Sequence, residues 1–128
     1  MIPAYGAAVE LPKPFLVAIG AIAGATVRWA IAEAVDHHFW SLTLVNSVGA
    51  ALLGALVIFF RDADATPRLL LGVGFCGALT TFSTLAYEVA VRLDAGNAMD
   101  ALVFAVATTA IGIGAGYAGV STGRSLRR

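Results

Sequence analysis

Between Gly72 and Glu88 an apolar stretch carries three glycines, Gly72, Gly74 and Gly77, and then four hydroxyl residues, Thr80, Thr81, Ser83 and Thr84. Both groups are poor material for an uninterrupted helix facing lipid. A break near Gly77 to Thr80 would free backbone carbonyls, which a membrane tolerates only where protein, water or an ion satisfies them. Carbonyl oxygens are hard ligands that suit a cation such as sodium. Beyond the break, Thr81, Thr84 and Glu88 fall at i, i+3 and i+7, so they share one helical face and form a polar track. Phe82 stands beside that track. An aromatic ring is electron-poor at its edge, so it can meet a small anion that has shed its water, or it can simply pack in the bundle.

Three further groups are costly inside a membrane unless paired or facing water: Arg28, Asn46 and Glu88. Arg28 and Glu88 lie toward the ends of their apolar segments, where snorkelling to the headgroups is the alternative to a role in a pathway. Asn46 lies deeper. Its NH2 can donate to an anion, or its oxygen can bond a neighbouring helix. The single cysteine, Cys76, makes no internal disulfide and reads as a small buried apolar residue. His37 and His38 are adjacent and have no third ligand near them in sequence, so they read as loop residues rather than a metal site. No His/Cys/Asp/Glu constellation or phosphate loop converges, so no enzyme is expected.

The elements that position these groups follow from composition. Of 128 residues, 59% are hydrophobic and 12% charged, whereas a soluble domain is near one-quarter charged. Zero formal net charge removes the basic field that nucleic acid requires. Four segments are long and apolar enough to cross a bilayer, at about 15–35, 42–60, 69–91 and 101–120, within a single domain of residues 1–128. No removable signal peptide is expected ahead of the first. The connections are short polar turns. Small residues at helical spacing, Gly20 with Gly24, Ala50 with Gly54 and Gly112 with Gly116, predict close helix packing. An even number of spans puts both termini and the second loop on one side. Lys13, Arg61, Arg68, Arg124, Arg127 and Arg128 gather there, against Arg92 and the nearby Arg28 opposite, so the termini are expected to be cytoplasmic.

Three motifs then resemble the Fluc/CrcB family of fluoride channels: Gly20 to Trp29, Leu44-Val45-Asn46-Ser47-Val48-Gly49 with Gly54 following, and Gly74 to Glu88. The resemblance covers nearly the whole chain. It implies an all-α membrane protein of four helices with a break in the third, paired as an antiparallel dimer in the cell membrane. Two fluoride pores along the interface and a structural, untransported sodium ion at its centre are implied with it. Residue by residue, it assigns the sodium to carbonyls of Gly77 and Thr80. It assigns the pore to Asn46, Phe82, Ser83 and Thr84, with Thr81, Leu85, Phe104 and Thr108 nearby, and the pore mouths to Arg28 and Glu88.

The chain also departs from the family pattern. Leu85 stands where a second phenylalanine is common, Leu42 where a threonine is common, and Phe104 where a tyrosine is often seen, although Thr108 keeps a hydroxyl one turn later. Some family members work as paralogous pairs of opposite fixed orientation. With the one-sided loop charge, these departures favour a heterodimer with a second Fluc-type subunit over a homodimer. A proton-coupled exporter of cationic drugs would need a carboxylate deep in the bundle, whereas Glu33 and Glu88 both lie toward span ends. A scaffold protein would leave the glycines and hydroxyls of the third span unexplained.

Overall fold

The structure, a computed structural model, describes residues 12–128; the expected lack of a signal peptide concerns earlier residues and lies outside them. Helix α1 spans Lys13–Ala34, entered through Pro12 with a proline in its first turn, where a missing N–H costs nothing. Helix α2 spans His38–Phe59. The third span is made of two pieces. Its first half, α3, covers Arg68–Cys76 with wide π-type turns and runs on as ordinary helix through Gly77–Leu79. The second, α4, covers Ser83–Asp94. Helix α5, Ala98–Leu126, completes the chain. All described secondary structure is helical, and four helices are long and apolar enough to cross a membrane. The third of these counts Arg68–Asp94 as one span.

The helices associate as two parallel pairs. In the first, the residues of α1 and α3 that meet rise together in number. A Cβ on Gly20 would strike the Leu70 carbonyl, one on Gly24 the Phe75 carbonyl, and one on Gly74 would lie 2.6 Å from the Val17 carbonyl oxygen. In the second pair, Gly54 faces the Gly116 carbonyl, Gly119 the Ala51 carbonyl, and Gly123 the Ala55 and Ile58 side of α2. Lipid gives apolar area little drive to associate, so backbone proximity of this kind supplies the dispersion that holds the bundle. Gly112, expected in the same seam, has open space instead, and Gly119 and Gly123 continue the seam in its place.

Two boundaries differ from expectation for one reason. Helix α2 begins at His38 rather than near residue 42, and α5 runs to Leu126 rather than 120. Hydropathy reports only the stretch that prefers hydrocarbon, whereas packing carries the helix further. At the far end Gly123 still rests on α2, and Arg127 donates to the Ile58 carbonyl. Between α4 and α5 the chain reverses through Gly96 at φ 78°. The Asn97 amide there closes back on Arg92 O (2.9 Å) and the Gly96 amide on Leu93 O (3.0 Å), the glycine-terminated cap of a helix end.

The outer surface is inverted relative to a soluble protein. Trp29, Trp40 and Tyr117 are all exposed, as lipid-facing side chains should be. Buried apolar residues are few, chiefly Leu42, Val45, Leu79 and Phe104. Gly24→Ala should therefore destabilise the protein by about 1–3 kcal/mol, the usual cost of overpacking. Gly112→Ala should leave it unchanged. Thermal unfolding of the two variants in detergent checks the contrast.

Candidate functional site

Helical bonding in the third span ends with the Thr80 amide donating to Cys76 O at 3.1 Å. Thr80 itself is extended (φ −77°, ψ 154°), and helix resumes only at Ser83. The next amide, Thr81 N–H, does not donate to the Gly77 carbonyl one turn back. It donates to Asn46 Oδ1 at 2.8 Å, and Asn46 Nδ2 donates to Thr81 O at 3.2 Å. A side-chain amide on α2 thus pairs in both directions with the main chain of one residue, as a neighbouring strand would. This leaves one N–H of the Asn46 NH2 uncommitted. Thr80 Oγ1 donates to Cys76 O (3.0 Å), and Arg28 Nη1 makes a long 3.4 Å contact with Thr80 O.

The hydroxyls after the break are linked. Thr81 Oγ1 lies 3.1 Å from both Ser83 Oγ and Thr84 Oγ1, and it accepts the Thr84 amide at 3.2 Å. That last bond satisfies one of the free N–H groups at the start of α4. Thr81 therefore does two jobs: it caps the new helix and ties its hydroxyls into a chain.

Thr81 also lines an open groove of about 470 Å³ between the break, α2 and α5, together with Asn46, Thr80, Phe82, Leu85, Thr108, Thr109 and Gly112. The Phe82 ring is 79% exposed there. Thr108 is committed, its hydroxyl donating to Phe104 O at 2.8 Å. The Thr109 side chain makes no hydrogen bond among the described residues and keeps a free hydroxyl at the groove.

Beyond the hydroxyl chain lies an ionic cluster. Glu88 is buried and meets Arg92 Nη1 at 2.6 Å, with His38 Nδ1 at 3.5 Å. The Arg92 guanidinium lies 3.9 Å above the Phe104 ring, and its Nε is 3.0 Å from an Asp100 carboxylate oxygen. Among the described residues no group of three or more His, Cys, Asp or Glu could hold a metal.

The structure brings together Asn46, Thr80, Thr81, Phe82, Leu85 and Thr108 at the groove, and joins Ser83 and Thr84 to it through Thr81. Gly77 lies at the break with an open side. Others are placed elsewhere. Arg28 reaches inward to the Thr80 carbonyl. Phe104 is buried under Arg92 and against Phe39 rather than along the groove. Leu42 belongs to the core, so of the three departures Leu85 is the one that lines the groove. Sequence reasoning missed Thr109 and Arg92. Neither has a distinguishing local pattern: Thr109 is one of two adjacent threonines, and Arg92 reads as a loop cation until Glu88 is placed one turn before it.

A four-helix membrane protein with a discontinuous span, a largely apolar groove carrying a few polar groups beside the break and no converging catalytic groups among its described residues has the architecture of a channel or transporter subunit. Comparison with known proteins identifies the family. Residues 15–120 match the model of the CrcB-like protein family, Camphor Resistance (CrcB), and the chain belongs to that family. It is 43% identical to the fluoride-specific ion channel FluC 2 of Parasynechococcus marenigrum, over 92% of this chain and 86% of that one. Two different proteins of one Synechococcus strain, CC9902, also match. One, named FluC 2, is 41% identical over 92% of this chain and 84% of its own length; the other, FluC 1, is 38% identical over 82% and 90%.

The Asn46–Thr81 pairing generates a direct test. Asn46→Leu leaves a main-chain donor and acceptor unpaired, at about 1–3 kcal/mol for each. Hydrogen exchange at the Thr81 amide should accelerate and the unfolding temperature should fall. An unchanged exchange rate would show that the bond does not hold the break.

Proposed function

We propose that this chain is one subunit of a fluoride channel, a multi-pass protein of the cell membrane that lets fluoride leak passively out of the cell and so limits its toxicity. One observation carries the reading. At mid-span a single groove offers the free Asn46 N–H, the exposed Phe82 ring and the Thr109 hydroxyl, and it adjoins the linked hydroxyls of Thr81, Ser83 and Thr84. A small anion losing its water stepwise needs weak, closely spaced donors of this kind. Contacts must be strong enough for entry and weak enough for exit. The names of the relatives agree with this selectivity.

The partner in this reading is a second, inverted four-helix subunit. Support comes from the open face: irregular backbone at membrane depth has to be covered by protein or line water, and both the groove and the Gly77 side are uncovered in one subunit. A paralogue is favoured over a second copy. Lys13, Arg61, Arg68, Arg124, Arg127 and Arg128 share one end of the bundle, which gives the chain a fixed orientation with cytoplasmic termini. Leu85 leaves the groove without a second ring. One Synechococcus strain carries both a FluC 1 and a FluC 2 relative.

The break also suits a structural sodium ion. Gly77 O has lost the Thr81 amide that a continuous helix would give it, and Thr80 O is engaged only by a long contact from Arg28. Both are oxygen donors of the hard type. A bound sodium ion would give these carbonyl oxygens a partner and hold the breaks of two subunits together.

Fluoride efflux from liposomes, followed with a fluoride electrode, tests the proposal. The chain reconstituted with a paralogous partner should conduct, and Phe82→Ile should slow efflux about three- to tenfold if one ring-edge contact is lost. Without a partner the chain should give little flux. Robust fluoride-selective efflux from this chain alone would remove the paralogous pair, and no flux even with a partner would remove the channel.

A further inference from the structure

The end of the bundle opposite the Glu88 cluster holds a second concavity, about 480 Å³, between the C-terminal ends of α2 and α5. It is lined by Ile58 and four arginines, Arg61, Arg124, Arg127 and Arg128. Helix C-termini carry partial negative charge and would by themselves repel an anion. At the end of α2 that charge is already answered: Arg127 donates to Ile58 O, and the neighbouring Arg68 donates to Phe60 O and Arg61 O, both at 3.1 Å. Arg61, Arg124 and Arg128 remain without an ion-pair partner among the described residues. The acidic groups of the adjacent loop are engaged elsewhere. Asp64 pairs with Lys13 at 2.8 Å, and Asp62 accepts the Asp64 amide.

Positive charge could serve only to orient the chain, but then the side chains need not converge. Guanidinium groups are planar, two-pronged donors matched to phosphate oxygens. Three unpaired guanidiniums around one concavity, with Arg127 beside them, exceed what a single phosphate requires. The lining is apolar as well as basic, because Ile58 lies among the arginines.

We propose that this concavity binds the phosphate headgroup of an anionic phospholipid from the adjoining leaflet, with preference for a headgroup carrying two phosphates. The inference stands apart from fluoride conduction, because none of these residues lines the mid-span groove.

Native mass spectrometry of the purified full chain in detergent, where insertion orientation no longer matters, provides the test. Diphosphatidylglycerol should remain bound more strongly than phosphatidylglycerol, and phosphatidylcholine should not remain. Replacing Arg61, Arg124 and Arg128 together by Gln should weaken retention on the order of a hundredfold. Arg124→Gln alone, with an unchanged unfolding temperature, should weaken it about fivefold. Equal retention by wild type and variants would overturn the proposal. So would displacement of the lipid by millimolar inorganic phosphate, which would assign the concavity to soluble anions.

Discussion

Inside hydrocarbon every peptide N–H and C=O needs a partner, and the third span gives up its helical partners around Thr80 and Thr81. One side chain on another helix makes that interruption tolerable. Asn46 supplies both an acceptor and a donor to Thr81, so the non-helical residue is held as it would be in a ladder. The rest follows from that anchor. Thr81 is fixed in a position from which its hydroxyl caps α4 and gathers Ser83 and Thr84. The groove beside it opens because the chain there is no longer a smooth cylinder.

The two glycine seams serve a complementary purpose. Close packing of α1 on α3 and of α2 on α5 fixes each parallel pair chiefly through small residues and backbone proximity. Asn46–Thr81 is the polar tie from one pair to the other, and Arg28–Thr80 adds a long polar contact within the first. Rigid apolar seams and a sparse polar junction divide stability from chemistry. Gly112 shows the boundary between them: it looks like a seam glycine by spacing, yet it lines the groove.

Much of this was legible from residue types. Length and apolarity placed four spans, and the run of glycines and hydroxyls from Gly72 to Thr84 marked the span that departs from regular helix. Asn46 was legible because an amide deep in a span carries a cost that must be explained, whereas Phe82 and Thr108 were assigned through the family resemblance. Other features were hidden for physical reasons. The extent of α5 depends on packing against α2 beyond the hydrocarbon window, which hydropathy does not sense. The inward reach of Arg28 depends on a long side chain whose direction no spacing reveals. The position of Phe104, under Arg92 of another helix and away from the groove, has no local signal in the sequence. Asn46 could be read as an anion donor or as a helix-to-helix tie. It makes the tie with two of its groups and keeps one N–H free.

The separation in sequence between Asn46 and Thr81, 35 residues, bears on how the protein is made. Synthesis proceeds from the N-terminus, so the second span reaches the bilayer before the third has emerged to meet it. During that interval a carboxamide sits in lipid with nothing to bond, at an energetic disadvantage that lifts only when the third span arrives. The nascent chain is thus biased to keep its second helix near the insertion machinery, or near water, until the third is delivered. Assembly order is written into the same bond that steadies the finished bundle.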